Sequence, residues 1–171
     1  RPGEEASFLV PLDDWVSNLV AVENEVFLIG AHAGAAINRW SWDERRFVSA
    51  GPAFNDAGMG WSTAITRRRE GGWWFAVSGG AIAALTAEGV FPWPREEPPG
   101  ARSLEITALF ETADGRLIVG SRLDGVYIYN AAGRIEEHIT DADGLDDNLV
   151  RALFVDADDG LWVATRTSVT R

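Results

Sequence analysis

Four short apolar runs recur along this chain at nearly constant spacing. They are Phe27-Leu28-Ile29-Gly30, Trp73-Trp74-Phe75-Ala76, Leu117-Ile118-Val119-Gly120 and Leu161-Trp162-Val163-Ala164. Their last residues stand 46, 44 and 44 positions apart. A second column lies upstream at Ala21, Ala64, Ala108 and Ala152, spaced 43, 44 and 44. None of the runs alternates apolar with polar. An antiparallel strand with one wet face would alternate, so these strands are expected to be covered on both faces. A fixed period of that size, built from short strands, predicts an all-β fold: a β-propeller of four blades with four strands each.

The third repeat shows the pattern most plainly. Glu105 to Phe110 forms the innermost strand, a, and Asp114-Gly115 a hairpin turn in which glycine supplies a positive φ. Leu117 to Gly120 is strand b, Val126 to Tyr129 strand c, and Arg134 to Thr140 strand d. In the first repeat the turn at Glu23-Asn24-Glu25 reads three residues shorter, which sets its two columns 9 apart rather than 12. Trp73 and Trp74 are neighbours on one strand, so they are expected to enter different inter-blade gaps.

The whole chain reads as one propeller domain or propeller fragment. Its blades span about 13–50, 60–94, 103–140 and 147–171, the last completed by 6–12. The fourth repeat stops after strand c, and Ala6 to Val10 resembles a strand d with no blade before it. Pairing the two would close a ring and remove exposed edges. Four repeats cut from a larger propeller would look the same. The chain opens on Arg1 rather than Met, so a processed or excised piece is expected.

Composition narrows the partners. With 15 Arg, no Lys and 26 Asp plus Glu, the net charge is −11. Such a field repels nucleic acid and anionic membranes. There is no cysteine, hence no disulfide or thiolate metal site. No apolar stretch approaches the ~18 residues of a membrane span.

Near the last repeat boundary the residues become familiar. Gly144-Leu145-Asp146-Asp147-Asn148-Leu149-Val150 runs into Asp159-Gly160-Leu161-Trp162-Val163-Ala164-Thr165. This resembles the two-component regulator propeller repeat, with its Gly-Leu opening, Asp-Gly turn and Leu-Trp-Val-Gly-Thr strand. The third repeat matches in Asp114-Gly115, Leu117 to Ser121 and Asp124 to Tyr127. The first matches more weakly and the second mainly by period. The resemblance implies the extracytoplasmic, periplasmic sensing region of a bacterial sensor kinase or diguanylate cyclase. It also implies seven blades, where four repeats stand here, and carries no catalytic residue.

In a propeller the d-to-a and b-to-c loops share one face around the axis, and ligands are expected in that mouth. Trp15, His32, Trp61, Ser78, Arg122, Asp124 and Arg166 are the candidate ligand-binding residues. Trp15 and Trp61 offer faces for a sugar or other flat ligand, or cap the inter-blade core. Arg122 and Arg166 take nearly the same loop position in successive blades, suited to a carboxylate or phosphate, or to solvent. The Asp-rich stretches at 141–147 and 156–160 read as turn chemistry rather than a calcium loop, for want of a full alternating set of ligands. His32 and His138 fall in different repeats, so no shared metal site or relay is expected.

The expected function is therefore a ligand-sensing or binding module with no cofactor or metal. Its partner is a small molecule or glycan, and a signalling domain in cis or a partner protein reads the change. A stand-alone extracytoplasmic propeller binding glycan or protein is the alternative, and a propeller lyase or hydrolase a further one. Two copies pairing into eight blades is the expected form of any homodimer.

Overall fold

A computed structural model describes residues 16–30, 37–49, 62–100 and 104–171. The first sheet has the order β1 (Val16–Val22), β2 (Glu25–Gly30), β3 (Ile37–Ser41) and β4 (Arg46–Ser49). The second runs β5 (Ser62–Arg67), β6 (Trp73–Val77), β7 (Ile82–Thr86) and β8 (Gly89–Pro92). The third runs β9 (Ile106–Glu111), β10 (Leu117–Ser121), β11 (Val126–Tyr129) and β12 (Ile135–Ile139). The fourth has three strands, β13 (Val150–Val155), β14 (Leu161–Thr165) and β15 (Val169–Thr170). Every pairing is antiparallel between chain neighbours, the meander of a propeller blade. The segment 6–10, expected to complete the last blade, lies outside the described residues.

Among the described residues, three apolar clusters hold consecutive blades together. Val20, Phe27 and Ile29 of blade 1 meet Phe75, Val77 and Leu85 of blade 2. Trp74, Ala76 and Ala84 of blade 2 meet Leu109, Val119 and Tyr129 of blade 3. Ala108, Ile118 and Ile128 of blade 3 meet Val150 and Val163 of blade 4. Alternate residues of one strand thus enter opposite gaps, which is why the central runs need no polar positions. Trp73 and Trp74 divide as expected, one packing on the first cluster and one lying within the second. The innermost strands touch from blade to blade, β5 against β9 and β9 against β13.

The register corrects one expectation. Beyond an irregularity in the innermost strand, Ala64 pairs with Ala76, Ala108 with Gly120 and Ala152 with Ala164. The equivalent pair in blade 1 is Asn18 with Ile29, whereas Ala21 pairs with Val26 and Gly30 with Val16. Glu23 sits at φ 52 in a hairpin that pairs Val22 with Glu25. Blade 1 therefore carries Ile29 where the other blades carry a small residue, and Ile29 is fully buried.

Blade 4 differs on the face that points away from blade 3. Phe154 pairs with Trp162, and Ala164 with both Ala152 and Val169, so these residues share that face. Phe154, Trp162 and Val169 are 59%, 37% and 64% exposed. The same positions in β10, Ile118 and Gly120, are buried against blade 4.

Candidate functional site

Among the described residues, the b-to-c turns of blades 2 and 3 meet the loops that lead into the next blade, as the repeat predicts. An added Cβ on Gly80, in the b-to-c turn of blade 2, would lie 2.6 Å from the Leu104 carbonyl oxygen. Gly80 sits at φ +86, so the loops close here because no side chain intervenes. In blade 3 the Gly125 amide donates to the Asn148 carbonyl at 3.0 Å. Asn148 in turn exchanges hydrogen bonds with Asp141, its Nδ2 to Oδ1 at 3.0 Å and the Asp141 amide to its Oδ1 at 2.8 Å. Thr140 and Asp143 close a capping box on the 3-10 turn Asp141–Asp143. The acidic stretch is thus used for turn chemistry.

Four of the seven candidate residues are placed, all in b-to-c turns. Ser78 is half-buried beside Gly79 and Gly80. Arg122 pairs with Glu105 at 3.3 Å, and Arg166 with Asp147 at 3.1 Å. Both guanidinium groups are well exposed, at 62% and 64%. Each arginine follows strand b of its blade and reaches a carboxylate on the loop that leads into strand a, so one arrangement repeats in blades 3 and 4. Trp15, His32 and Trp61 lie outside the described residues.

Asp124 has a richer environment than its loop position suggested. Its carboxylate accepts a hydrogen bond from the Tyr127 hydroxyl. The His138 ring stacks on Tyr127 at 4.0 Å with a 6° interplanar angle. His138 Nε2 lies 2.8 Å from the Asp124 carbonyl oxygen, so that nitrogen carries the proton. Burial first, and the Asp124 carboxylate second, push the Tyr127 phenol well above its ordinary value. The phenol therefore stays a neutral donor. The pairing of β11 with β12 sets Tyr127 opposite His138. His138 lies on the outermost strand of its blade, and only cross-strand register brings it to Asp124.

Arg95 was not singled out by the sequence. Its side chain is 4% exposed and bonds Glu97 at 3.2 Å, the Gly80 carbonyl at 2.8 Å and the Tyr129 hydroxyl at 3.2 Å. The run of prolines around it was the available signal: a chain held extended lays this arginine along the seam between blades 2 and 3.

Two grooves open on the side of the a-to-b turns among the described residues. One, of about 370 Å³ between blades 3 and 4, has Asp114, Arg116, Glu137 and Asp159 above Ile118 and Leu161. The other, of about 340 Å³, lies on blade 2 against Trp74, Phe91 and Trp93. No group of three or more metal-ligating side chains occurs among the described residues. No helix among them is long and apolar enough to cross a membrane.

Residues 144–167 match the family model of the two component regulator propeller. No curated protein matches the chain by sequence. A solved structure described as the extracellular domain of a hybrid two component system, BT3049 from B. thetaiotaomicron, is 18% identical with a TM-score of 0.66, over 89% of this chain and 20% of that one. The computationally designed Ika4 protein is 16% identical with a TM-score of 0.66, over 98% of this chain and 96% of that one. Virginiamycin B lyase from Staphylococcus aureus is 19% identical with a TM-score of 0.63, over 95% and 56%. The chain spans about a fifth of the length of the first of these proteins. At such identities the likeness is one of fold. The fourth repeat of this chain thus matches the two component regulator propeller family, as its residues led one to expect, and the chain around it has the fold of β-propellers.

Proposed function

We propose that this segment is a non-enzymatic, ligand-binding propeller module in the extracytoplasmic sensing region of a receptor. The family match and the fold shared with an extracellular two component domain support that reading. The observation that carries it is the repeated pair of exposed arginines, Arg122 on Glu105 and Arg166 on Asp147, set on loops that also tie consecutive strands together. Exposed pairs of this kind are worth only about 0–1 kcal/mol, so a ligand exchanges them at small cost. A small molecule or glycan with acceptor oxygens takes over the guanidinium donors, and its hydroxyls take over the carboxylates. The Gly125–Asn148 and Gly80–Leu104 contacts carry the change into the seams between blades. A signalling domain in cis, or a partner protein, reads it.

The test is a titration of the isotope-labelled chain with a panel of neutral and acidic mono- and oligosaccharides. Saturable amide shifts at 78–81, 122–125, 144–148 and 166–168 are the expected result. Saturable shifts elsewhere, with these loops silent, would overturn the mouth as the site.

A further inference from the structure

Each of blades 1 to 3 presents one face to the blade that follows it. By register, Trp162 of blade 4 stands where Phe27, Trp74 and Ile118 stand in those blades. Val169 stands where Ile37, Ile82 and Val126 do. All six counterparts are buried in the seam with the next blade. Trp162 and Val169 are open, with Phe154 opposite Trp162 on the same face. The inner edge follows the same plan. In blade 3 the Thr107 hydroxyl, at the irregularity of β9, donates to the Val150 carbonyl of blade 4 at 2.7 Å. Arg151, exposed, holds that position in β13 and supplies a donor there. Blade 4 thus carries one complete half of a seam.

The matching half is open on blade 1. Leu19 pairs with Leu28 as Ile65 does with Phe75, Leu109 with Val119 and Leu153 with Val163. Ile65, Leu109 and Leu153 each pack into the seam with the preceding blade. Leu19 is 63% exposed, and so is Trp42, which stands edge-on against Trp40. Seven large apolar side chains are exposed among the described residues, and Leu19, Trp42, Phe154, Trp162 and Val169 are five of them. Exposed apolar surface is therefore concentrated at the two ends of the row of blades, as at an interaction site.

We infer that two copies of this chain close into one ring of eight blades, the Phe154, Trp162 and Val169 face of each copy packing on the Leu19 face of the other. The seams inside the chain select this occupant. In each of them a face of the blade 4 kind is covered by a face of the Leu19 kind, and blade 1 is the blade whose Leu19 position is left uncovered among the described residues. A single chain does not join the two, since both stay exposed in it. A two-fold axis joins them twice, blade 4 to blade 1 and blade 1 to blade 4, and leaves no further face for growth. The inference goes beyond the proposed function and does not rest on the mouth loops.

The test is the mass of the whole chain by sedimentation equilibrium from about 1 to 100 μM. Salt at about 0.15 M screens the −11 carried by each copy. Twice the mass of one chain is the expected result. Val169→Asp and Leu19→Glu alter the two faces at exposed positions, so each should keep the circular dichroism of the folded chain. Each should also weaken the dimer at least about tenfold. A monomer at 100 μM would overturn the inference, as would mass growing past the dimer with concentration. A dimer that survives Leu19→Glu would overturn it as well, because blade 4 would then be meeting blade 4. Saccharide shifts at the mouth loops of a monomer would leave the proposed function standing without the ring.

Discussion

Gly120 of blade 3 lies so close to Val150 of blade 4 that a Cβ on it would stand 2.5 Å from Val150 Cγ1 and 3.0 Å from Val150 Cβ. Val150 is fully buried, and its carbonyl accepts from the Thr107 hydroxyl at 2.7 Å, so neither partner has room to yield. Ala76 and Ala164 occupy the same column in the neighbouring blades, and the repeat alone would treat Gly120→Ala as harmless. The contact says otherwise. The substitution should cost about 1–3 kcal/mol, read as a lower urea midpoint with an unchanged m-value. An unchanged midpoint would mean that the two blades are not packed this tightly.

Tyr127 and Tyr129 are the two tyrosines of the chain, and both are pushed upward, chiefly by burial. For Tyr127 the Asp124 carboxylate adds to the rise, whereas for Tyr129 the Arg95 guanidinium opposes it. An acid whose folded pKa is raised holds its proton longer in the folded state. Its contribution to stability is present below the unfolded value near 10 and is lost as pH climbs above it. Absorbance at about 295 nm should therefore show less tyrosinate in the folded chain at pH about 10 than in urea, where the ordinary value applies. Asp124→Asn should bring the Tyr127 step to lower pH. Two ordinary tyrosine titrations in the native protein would refute the packing described.

Asp156 accepts from Trp162 Nε1 at 2.7 Å, Arg171 Nε at 2.9 Å, and the amides of Gly160 and Asp158 at 2.8 and 3.0 Å. The Trp162 bond first, then the Arg171 bond, hold its carboxyl far below the ordinary range. A depressed carboxylate stabilises above its unfolded pKa of about 3.9 and stops doing so as pH falls through its folded value. The Trp162 indole N–H resonance should stay in place down to pH about 3. A shift centred on the ordinary carboxylate value would show that the Asp156 turn is open in solution.

Arg122→Ala and Arg166→Ala remove exposed ion pairs. Each should change stability by less than about 1 kcal/mol. Each should also weaken saccharide binding at the mouth, measured by the same amide shifts, and the pair of changes together more than either. Full binding by the double variant would remove the mouth arginines from the site.

Much of the fold was legible because its cause is local. Leu117 to Gly120 read as a strand covered on both faces, and Leu117 to Ser121 is buried throughout. Asp114-Gly115 read as a hairpin turn, and Gly115 sits at φ +87. The two indoles of Trp73 and Trp74 read as filling different gaps, and they do. Repeat spacing misled in blade 1, where Gly30 looked equivalent to Gly120. The register of β1 with β2 puts Ile29 there instead, because hydrogen-bond pairing, not residue similarity, sets equivalence.

The site was less legible, since its partners come from different strands. The loop positions of Arg122, Asp124 and Arg166 followed from the repeat. That Arg122 meets Glu105, and that Tyr127 and His138 stack beside Asp124, depends on cross-strand register.

Local chemistry along the chain was enough to specify four repeats, their strands and turns, and an acidic surface, because hydrophobic periodicity and glycine placement act between near neighbours. The tertiary structure alone settled which residues touch across seams: Gly120 with Val150, Arg95 with Gly80 and Tyr129, and Trp74 with an indole N–H left unpaired. Those contacts join residues far apart in the chain, and packing at fixed distance between two sheets leaves no mark on the spacing of either one.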